Sequence, residues 1–189
     1  MALIKNDYTG EPRTLLILGA GGLGQVVAEM AQMSGRYSMI AFLDDHPTPD
    51  KEMLYHIVGN MQDCERMIEN FTHAIPAFGD NNNRYQWMIR LKKYGYRLPR
   101  LIHQSAIVSP TARIGDGCII RERVVISRAA QIGEGCLINV GAIIDHKVVI
   151  GDGCHIPVGC IVRNEIHVPP LSGFHVGEIV ERDERRSKT

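Results

Sequence analysis

The chain carries no surplus of charge: 21 Lys and Arg stand against 21 Asp and Glu in 189 residues. That balance removes the electrostatic case for a nucleic acid or an acidic membrane surface as partner. The N-terminus, Met1-Ala-Leu-Ile-Lys-Asn-Asp7, lacks the basic-then-apolar order of a secretory signal. The apolar run around Leu15 is short and breaks into glycines, which excludes a membrane span there. A cytoplasmic protein without membrane insertion is the expectation. The five cysteines include no CxxC pair. Stacked thiols leave a metal reading open, but Cys118, Cys136 and Cys154 read first as small buried side chains, and no metal is expected.

What the chain has in plenty is a repeat. An aliphatic residue returns at every sixth position: Ile102, Val108, Ile114, Ile120, Ile126, Ile132, Ile138, Ile144, Ile150, Ile156, Val162 and Val168. Four residues after each sits a second small or apolar residue, among them Ala112, Cys118, Val124, Ala130, Cys136, Ala142, Val148, Cys154 and Cys160. Neither a helix, with period 3.6, nor a simple strand, with period 2, produces a strict six. Three hexapeptides make one triangular coil, and the segments Ile114-Gly-Asp-Gly-Cys118, Ile132-Gly-Glu-Gly-Cys136 and Ile150-Gly-Asp-Gly-Cys154 mark the same corner of three successive coils. Residues 101–170 are therefore a parallel β-helix of hexapeptide repeats, coil stacked on coil at roughly 4.8 Å. The repeats end at Val168 in this reading, and 171–189 form a C-terminal cap and a solvated, charged tail.

Before the repeat, residues 1–12 read as a polar lead-in and 13–100 as an α/β domain. Thr14–Leu18 is a buried strand that ends in Gly19-Ala-Gly-Gly-Leu-Gly24. Val26, Val27, Met30 and Ala31 follow at helical spacing, and a second strand finishes in Asp44-Asp45. Strand, glycine turn, helix and strand form a βαβ unit whose Gly19, Gly21 and Gly24 fit GxGxxG. Such a turn lets backbone approach a ligand, and the helix N-terminus behind it favours a phosphate. Two other readings stay open. A nicotinamide cofactor fits the acidic residue about twenty positions on, but the sheet is short and no hydride-transfer domain follows. A purely structural glycine turn is the other.

The whole chain resembles the bacterial sugar acetyltransferases in which a small Rossmann-like domain precedes a left-handed β-helix (PglD/NeuD-like). These N-acetylate UDP-linked amino sugars or O-acetylate sialic acid. The resemblance rests on Leu18-Gly-Ala-Gly-Gly-Leu-Gly24, Leu43-Asp-Asp45, Phe78-Gly-Asp-Asn81 with Arg84, Leu101-Ile-His103 and Asn139-Val-Gly-Ala-Ile-Ile-Asp-His146. It implies an acetyl-CoA-dependent sugar acetyltransferase of glycan biosynthesis that assembles as a homotrimer, with acetyl-CoA between adjacent β-helices. It also implies that Gly21, Gly22, Leu23, Gly24, Asp44 and Asp45 hold the nucleotide sugar, with Asn139 near the acceptor.

His146 stands two residues after the inward Ile144, so its imidazole points outward, and a group titrating near neutrality suits a general base. The resemblance makes it the catalytic histidine, and places His155 and Asn164 beside the acetyl-CoA. The bland alternative is a solvated histidine on a coil surface. The chain departs from the family in several places. Lys147 stands where an acidic partner of the base is usual, and Asp145 is expected to face another way. Leu23 replaces a histidine, Asn164 replaces a glycine, and the coils end early. A trimeric sugar-nucleotide-binding or scaffold protein without transferase activity is the alternative function.

Overall fold

The computed structural model describes residues 13–46 and 55–181; the lead-in 1–12 and the charged run beyond Glu181 lie outside them. The chain divides into two compact units, Met1–Leu101 and Ile102–Thr189.

The first unit is a four-stranded parallel sheet in the order β3-β2-β1-β4. β1 (Thr14–Leu18) runs through the middle, with β2 (Met39–Leu43) on one side and β4 (His73–Pro76) on the other, and β3 (Ile57–Gly59) pairs with β2. Leu15 to Leu18 are fully buried, as a central parallel strand requires when both of its faces are covered. Helix α1 (Gly22–Met33) turns Val27, Ala28, Met30 and Ala31 to the core. It stops at Gly35, whose φ of +62° is the left-handed turn that ends helices. A 3₁₀ segment, Met61–Glu69, precedes β4, and α2 (Asn81–Tyr94) follows it, capped by the Asp80 carboxylate, which accepts from Asn83 N at 2.7 Å. Because β2 and β4 flank β1 on opposite sides, the chain reverses its winding at β1. The loops that leave the C-terminal ends of these strands bound the crevice where such sheets bind ligands.

The second unit is a left-handed parallel β-helix of two-residue strands on three faces. One face stacks β5 (Leu101–Ile102), β8 (Ile119–Ile120), β11 (Leu137–Ile138) and β14 (His155–Ile156). The next stacks β6 (Ile107–Val108), β9 (Val125–Ile126), β12 (Ile143–Ile144), β15 (Ile161–Val162) and β17 (Ile179–Val180). The last stacks β7 (Arg113–Ile114), β10 (Gln131–Ile132), β13 (Val149–Ile150) and β16 (His167–Val168). Neighbouring coils pair in parallel with an offset of eighteen, as in Leu137 with His155 and Ile143 with Ile161. The sixfold series and its small partners line one continuous core from Cys118 to Val168.

From Gly117 on, each coil corner has one residue with positive φ, and these also recur every sixth position: Gly117, Arg123, Ala129, Gly135, Gly141, Lys147, Gly153, Gly159, Glu165, Leu171 and Gly177. The winding does not end at Val168. Phe174 and Val180 continue the sixfold phase and pack against the same core, His155 N donates to Ser172 O, and β17 pairs with β15. The expected early end is thus corrected by about two further hexapeptides. The cue was lost because the companion positions turn polar, Ser172 and Glu178, while the inward position stays apolar.

Candidate functional site

In the first unit, the three loops at the C-terminal edge of the sheet are tied together by backbone and carboxylate contacts. Gly24 is required by contact: a Cβ there would strike the Gly19 carbonyl, so the helix could not sit this close to the turn. Gly19 has a φ of +99° and lies under the Phe78 ring, which joins the loop after β1 to the loop after β4. Gly21 and Gly22 are different. Both are exposed, and a Cβ on either would meet nothing within 4 Å. Gly21 also caps α1 in an extended conformation, and no side chain caps the first N–H groups of the helix. This open floor at a helix N-terminus suits a ligand phosphate, and Leu23 is half-buried at its edge.

Asp44 accepts from Ala20 N through Oδ2 at 2.7 Å and from His46 N through Oδ1 at 2.8 Å. Asp45 accepts from Met61 N at 2.8 Å. The paired acids therefore hold the glycine loop and the 3₁₀ segment in place. Arg84, whose role its sequence position does not announce, is a fully buried cation. Its guanidinium donates to Phe78 O at 2.9 Å, Gly79 O at 3.3 Å and Asn81 Oδ1 at 2.9 Å. It shapes the β4–α2 turn from beneath.

In the second unit, His146 occupies the corner between β12 and β13 and is exposed. The carboxylate expected to face elsewhere is its partner: Asp145 Oδ1 lies 2.9 Å from His146 Nδ1 and accepts from His146 N. The reason is local. The Asp145 side chain first captures the following backbone N–H, an Asx-type contact, and that places it against the near edge of the ring. These two hydrogen bonds to His146, backbone first, hold the Asp145 carboxyl below its ordinary range. With Nδ1–H donating to Asp145, Nε2 of the neutral ring keeps its lone pair. Lys147 takes the left-handed corner position at φ +59° and gives its ammonium to Glu165 Oε1 at 3.0 Å. Its charge is answered one coil on. Asn164 stands in the same column as His146, one coil along, and is half-buried.

Asn139 and His155 belong to another corner. Asn139 follows β11, and His155 is the outward residue of β14. Asn139 Oδ1 accepts from Val140 N at 2.8 Å and from Arg121 NH1 at 3.2 Å, and Asn139 Nδ2 lies 3.4 Å from His155 Nε2. Arg121 is gripped in turn by Glu122, Nε to Oε2 at 2.9 Å. Burial pushes the Glu122 carboxyl up, but its own backbone N–H and the Arg121 guanidinium outweigh this and hold it low. Neither Arg121 nor Glu122 is marked by any motif. A reading by columns finds Arg121 as the residue eighteen before Asn139. Within one chain, then, His146 and Asn164 sit at one edge of the face built from β6, β9, β12, β15 and β17, and Asn139 sits at the opposite edge, with His155 beside it on the neighbouring face.

The outward residues of that face are all aliphatic: Ile107, Val125, Ile143, Ile161 and Ile179, of which Ile107 is 67%, Ile143 38% and Ile179 53% exposed. The face with β7, β10, β13 and β16 presents Arg113, Gln131, Val149 and His167 instead. Among the described residues no group of three or more His, Cys, Asp or Glu is placed to hold a metal, and no helix is long and apolar enough to cross a membrane.

Residues 14–91 match the PglD N-terminal domain. The chain is similar to the acetyltransferase domain of PglB from Neisseria gonorrhoeae FA1090, solved in complex with acetyl coenzyme A: 30% identity over 89% of this chain and 82% of that one, TM-score 0.84. It is similar to a histidine-to-asparagine mutant of perosamine N-acetyltransferase from Caulobacter crescentus, solved in complex with CoA and GDP-perosamine: 26% identity, 90% and 89% coverage, TM-score 0.81. WeeI from Acinetobacter baumannii AYE shares the fold at 19% identity, with 89% and 81% coverage and a TM-score of 0.80. No curated protein matches the chain by sequence.

Proposed function

Because this chain belongs to the PglD/NeuD-like family of bacterial sugar acetyltransferases, we propose that it moves the acetyl group of acetyl-CoA onto the amine of a nucleotide-linked amino sugar. The observation that carries this reading is the Asp145–His146 pair. Asp145 fixes the ring with Nδ1–H inward, so Nε2 is the atom left to accept a proton. As the sugar amine attacks the thioester carbonyl, His146 Nε2 takes the amine proton and the N–C bond forms. When the C–S bond breaks, the imidazolium returns that proton to the departing CoA thiolate. His155 lies on the coenzyme side, where a ring N–H can meet the developing oxyanion. The open Gly21–Gly22 floor, with Leu23 and Gly24, holds the nucleotide, and Asp44 and Asp45 set its shape. The related crystal structures hold acetyl-CoA, or CoA with GDP-perosamine, which supports both substrate classes without choosing the base of the nucleotide.

The working unit in this reading is a homotrimer. The aliphatic face of Ile107, Val125, Ile143, Ile161 and Ile179 is the apolar surface such an assembly buries. A three-fold axis along that face brings the His146 edge of one copy to the Asn139–His155 edge of the next, which completes a site that one chain divides. The test is release of free CoA thiol across a panel of UDP- and GDP-linked amino sugars, with His146→Ala alongside. Sugar-dependent release abolished by that substitution supports the reading. Sugar-nucleotide binding with no release and no acetyl-CoA binding would favour the non-catalytic alternative.

A further inference from the structure

We propose that Arg121 is a positioning residue that sets the tautomer of His155 through the Asn139 amide. This deepens the proposed function, on which it rests for its catalytic consequence.

The contacts around Asn139 assign the proton at His155 Nε2. The Asn139 side-chain atom facing Val140 N at 2.8 Å and Arg121 NH1 at 3.2 Å receives two N–H donors. Only the amide oxygen can accept both, so the NH₂ group is the end that faces His155. Nδ2 has no lone pair to offer, and it meets His155 Nε2 at 3.4 Å. The ring nitrogen there must therefore be the acceptor. Neutral His155 consequently carries its proton on Nδ1, the nitrogen not committed to Asn139.

Arg121 is built for this task. Glu122 holds Nε and NH2 of the same guanidinium, at 2.9 and 3.4 Å, so the planar fork is locked and NH1 points along the coil axis to Asn139. The pair is only partly exposed, with the Arg121 side chain at 19%, so solvent does not freely compete for the amide oxygen. Val140 N alone leaves Oδ1 with one strong donor; Arg121 supplies the second and fixes the amide plane. The tautomer in turn decides which ring edge of His155 can donate. With Nε2 held as an acceptor by the Asn139 amide, the N–H of the neutral ring is Nδ1–H.

The test is two-bond ¹H–¹⁵N correlation spectroscopy of the protein with ¹⁵N-labelled histidine, at a pH where His155 is neutral. The His155 ring signal is assigned by its loss in His155→Gln. In the wild type the pattern of an Nδ1–H ring is expected. Asn139→Asp keeps the side-chain shape but has no donor, so His155 should switch to Nε2–H. Arg121→Met should give a mixture of the two forms, while Arg121→Lys, which retains a donor, should restore most of the Nδ1–H form. In thiol-release assays Arg121→Met should lower kcat about 10-fold with little change in the sugar KM, short of the ~100-fold or more for removing an oxyanion donor outright. A wild-type ring protonated on Nε2, or a tautomer unchanged in both Asn139→Asp and Arg121→Met, overturns the proposal. The tautomer readout does not depend on turnover. If the wild-type protein releases no thiol but the tautomer follows Arg121, the transferase reading fails and the relay stands.

Discussion

Two corners of the same β-helix are built on opposite terms. Between β13 and β14, and at its equivalents one and two coils back, the corner is Gly-Asp-Gly or Gly-Glu-Gly. A Cβ on Gly133 would lie 2.7 Å from Asp152 N, and one on Gly151 would lie 2.5 Å from Pro170 N. The Cys136 thiol packs inside this corner and donates to Gly151 O at 3.1 Å. No Cβ fits at Gly133 or Gly151, and the acid between the glycines is used by the coil itself: Asp152 Oδ1 accepts from Glu134 N at 2.8 Å. Between β12 and β13 the left-handed position is filled by Ala129, Lys147 and Glu165 in successive coils, although each non-glycine residue there costs about 1–2 kcal/mol. That corner keeps side chains where glycine would be easier on the backbone, and it is the one that carries Asp145 and His146. The Asn139 corner falls between the two, with Arg123 and then Gly141, Gly159 and Gly177 at its left-handed position.

Substitutions at the two corners should have opposite effects. The largest effect should come from His146→Ala, which should lower kcat at least ~10³-fold in the thiol-release assay and leave the melting temperature within about 2 °C, since the side chain is exposed. Asp145→Asn should lower kcat roughly 10²-fold by weakening the hold on Nδ1–H, again with little change in melting. At the other corner the outcome should invert. Gly133→Ala should destabilise the fold by about 2–3 kcal/mol in denaturant titration and leave activity per folded molecule near wild type. Lys147→Gly should be the mildest: relief of the left-handed strain exceeds the loss of an exposed ion pair, for a gain of about 0.5–1 kcal/mol.

The first unit supplies a pH test of its own. His73 is buried at the start of β4, with Thr72 Oγ1 2.8 Å from Nδ1 and the Tyr37 ring edge-on. Burial, reinforced by Arg13, Arg97 and Arg36, lowers its pKa from 6.5 to about 4. The folded value lies below the unfolded one. Its contribution is therefore complete above about pH 6.5 and is lost as the pH falls toward 4. Wild-type stability should drop by roughly 2 kcal/mol more than that of His73→Gln across that window, measured by denaturant unfolding.

The fold was legible because a strict period of six has one structural solution. The βαβ unit was legible because a buried strand, a glycine turn and an apolar helical stripe follow one another. What was not legible depends on contacts. Gly21 and Gly24 are the same letter, yet one is required by the Gly19 carbonyl and the other faces open space. Asp145 was expected to face away because strand alternation says so, but a backbone hydrogen bond to His146 N turned it. Arg121 was missed because its partner is eighteen residues off, a distance that means adjacency only once the coil is known. Phe174 and Val180 kept the sixfold phase while the companion positions changed, so the winding outran its most obvious signal.

In the proposed trimer one chain divides its site between two edges, so that His146 of one copy would work with Asn139 and His155 of another. Mixing unfolded His146→Ala and His155→Gln chains, each inactive, and refolding them together tests this most directly. A composite trimer predicts that thiol release returns to about a quarter of the wild-type rate, because that fraction of random junctions carries both intact edges. Co-refolded trimers that stay as inactive as either parent would place both histidines in the same chain's site and contradict the account.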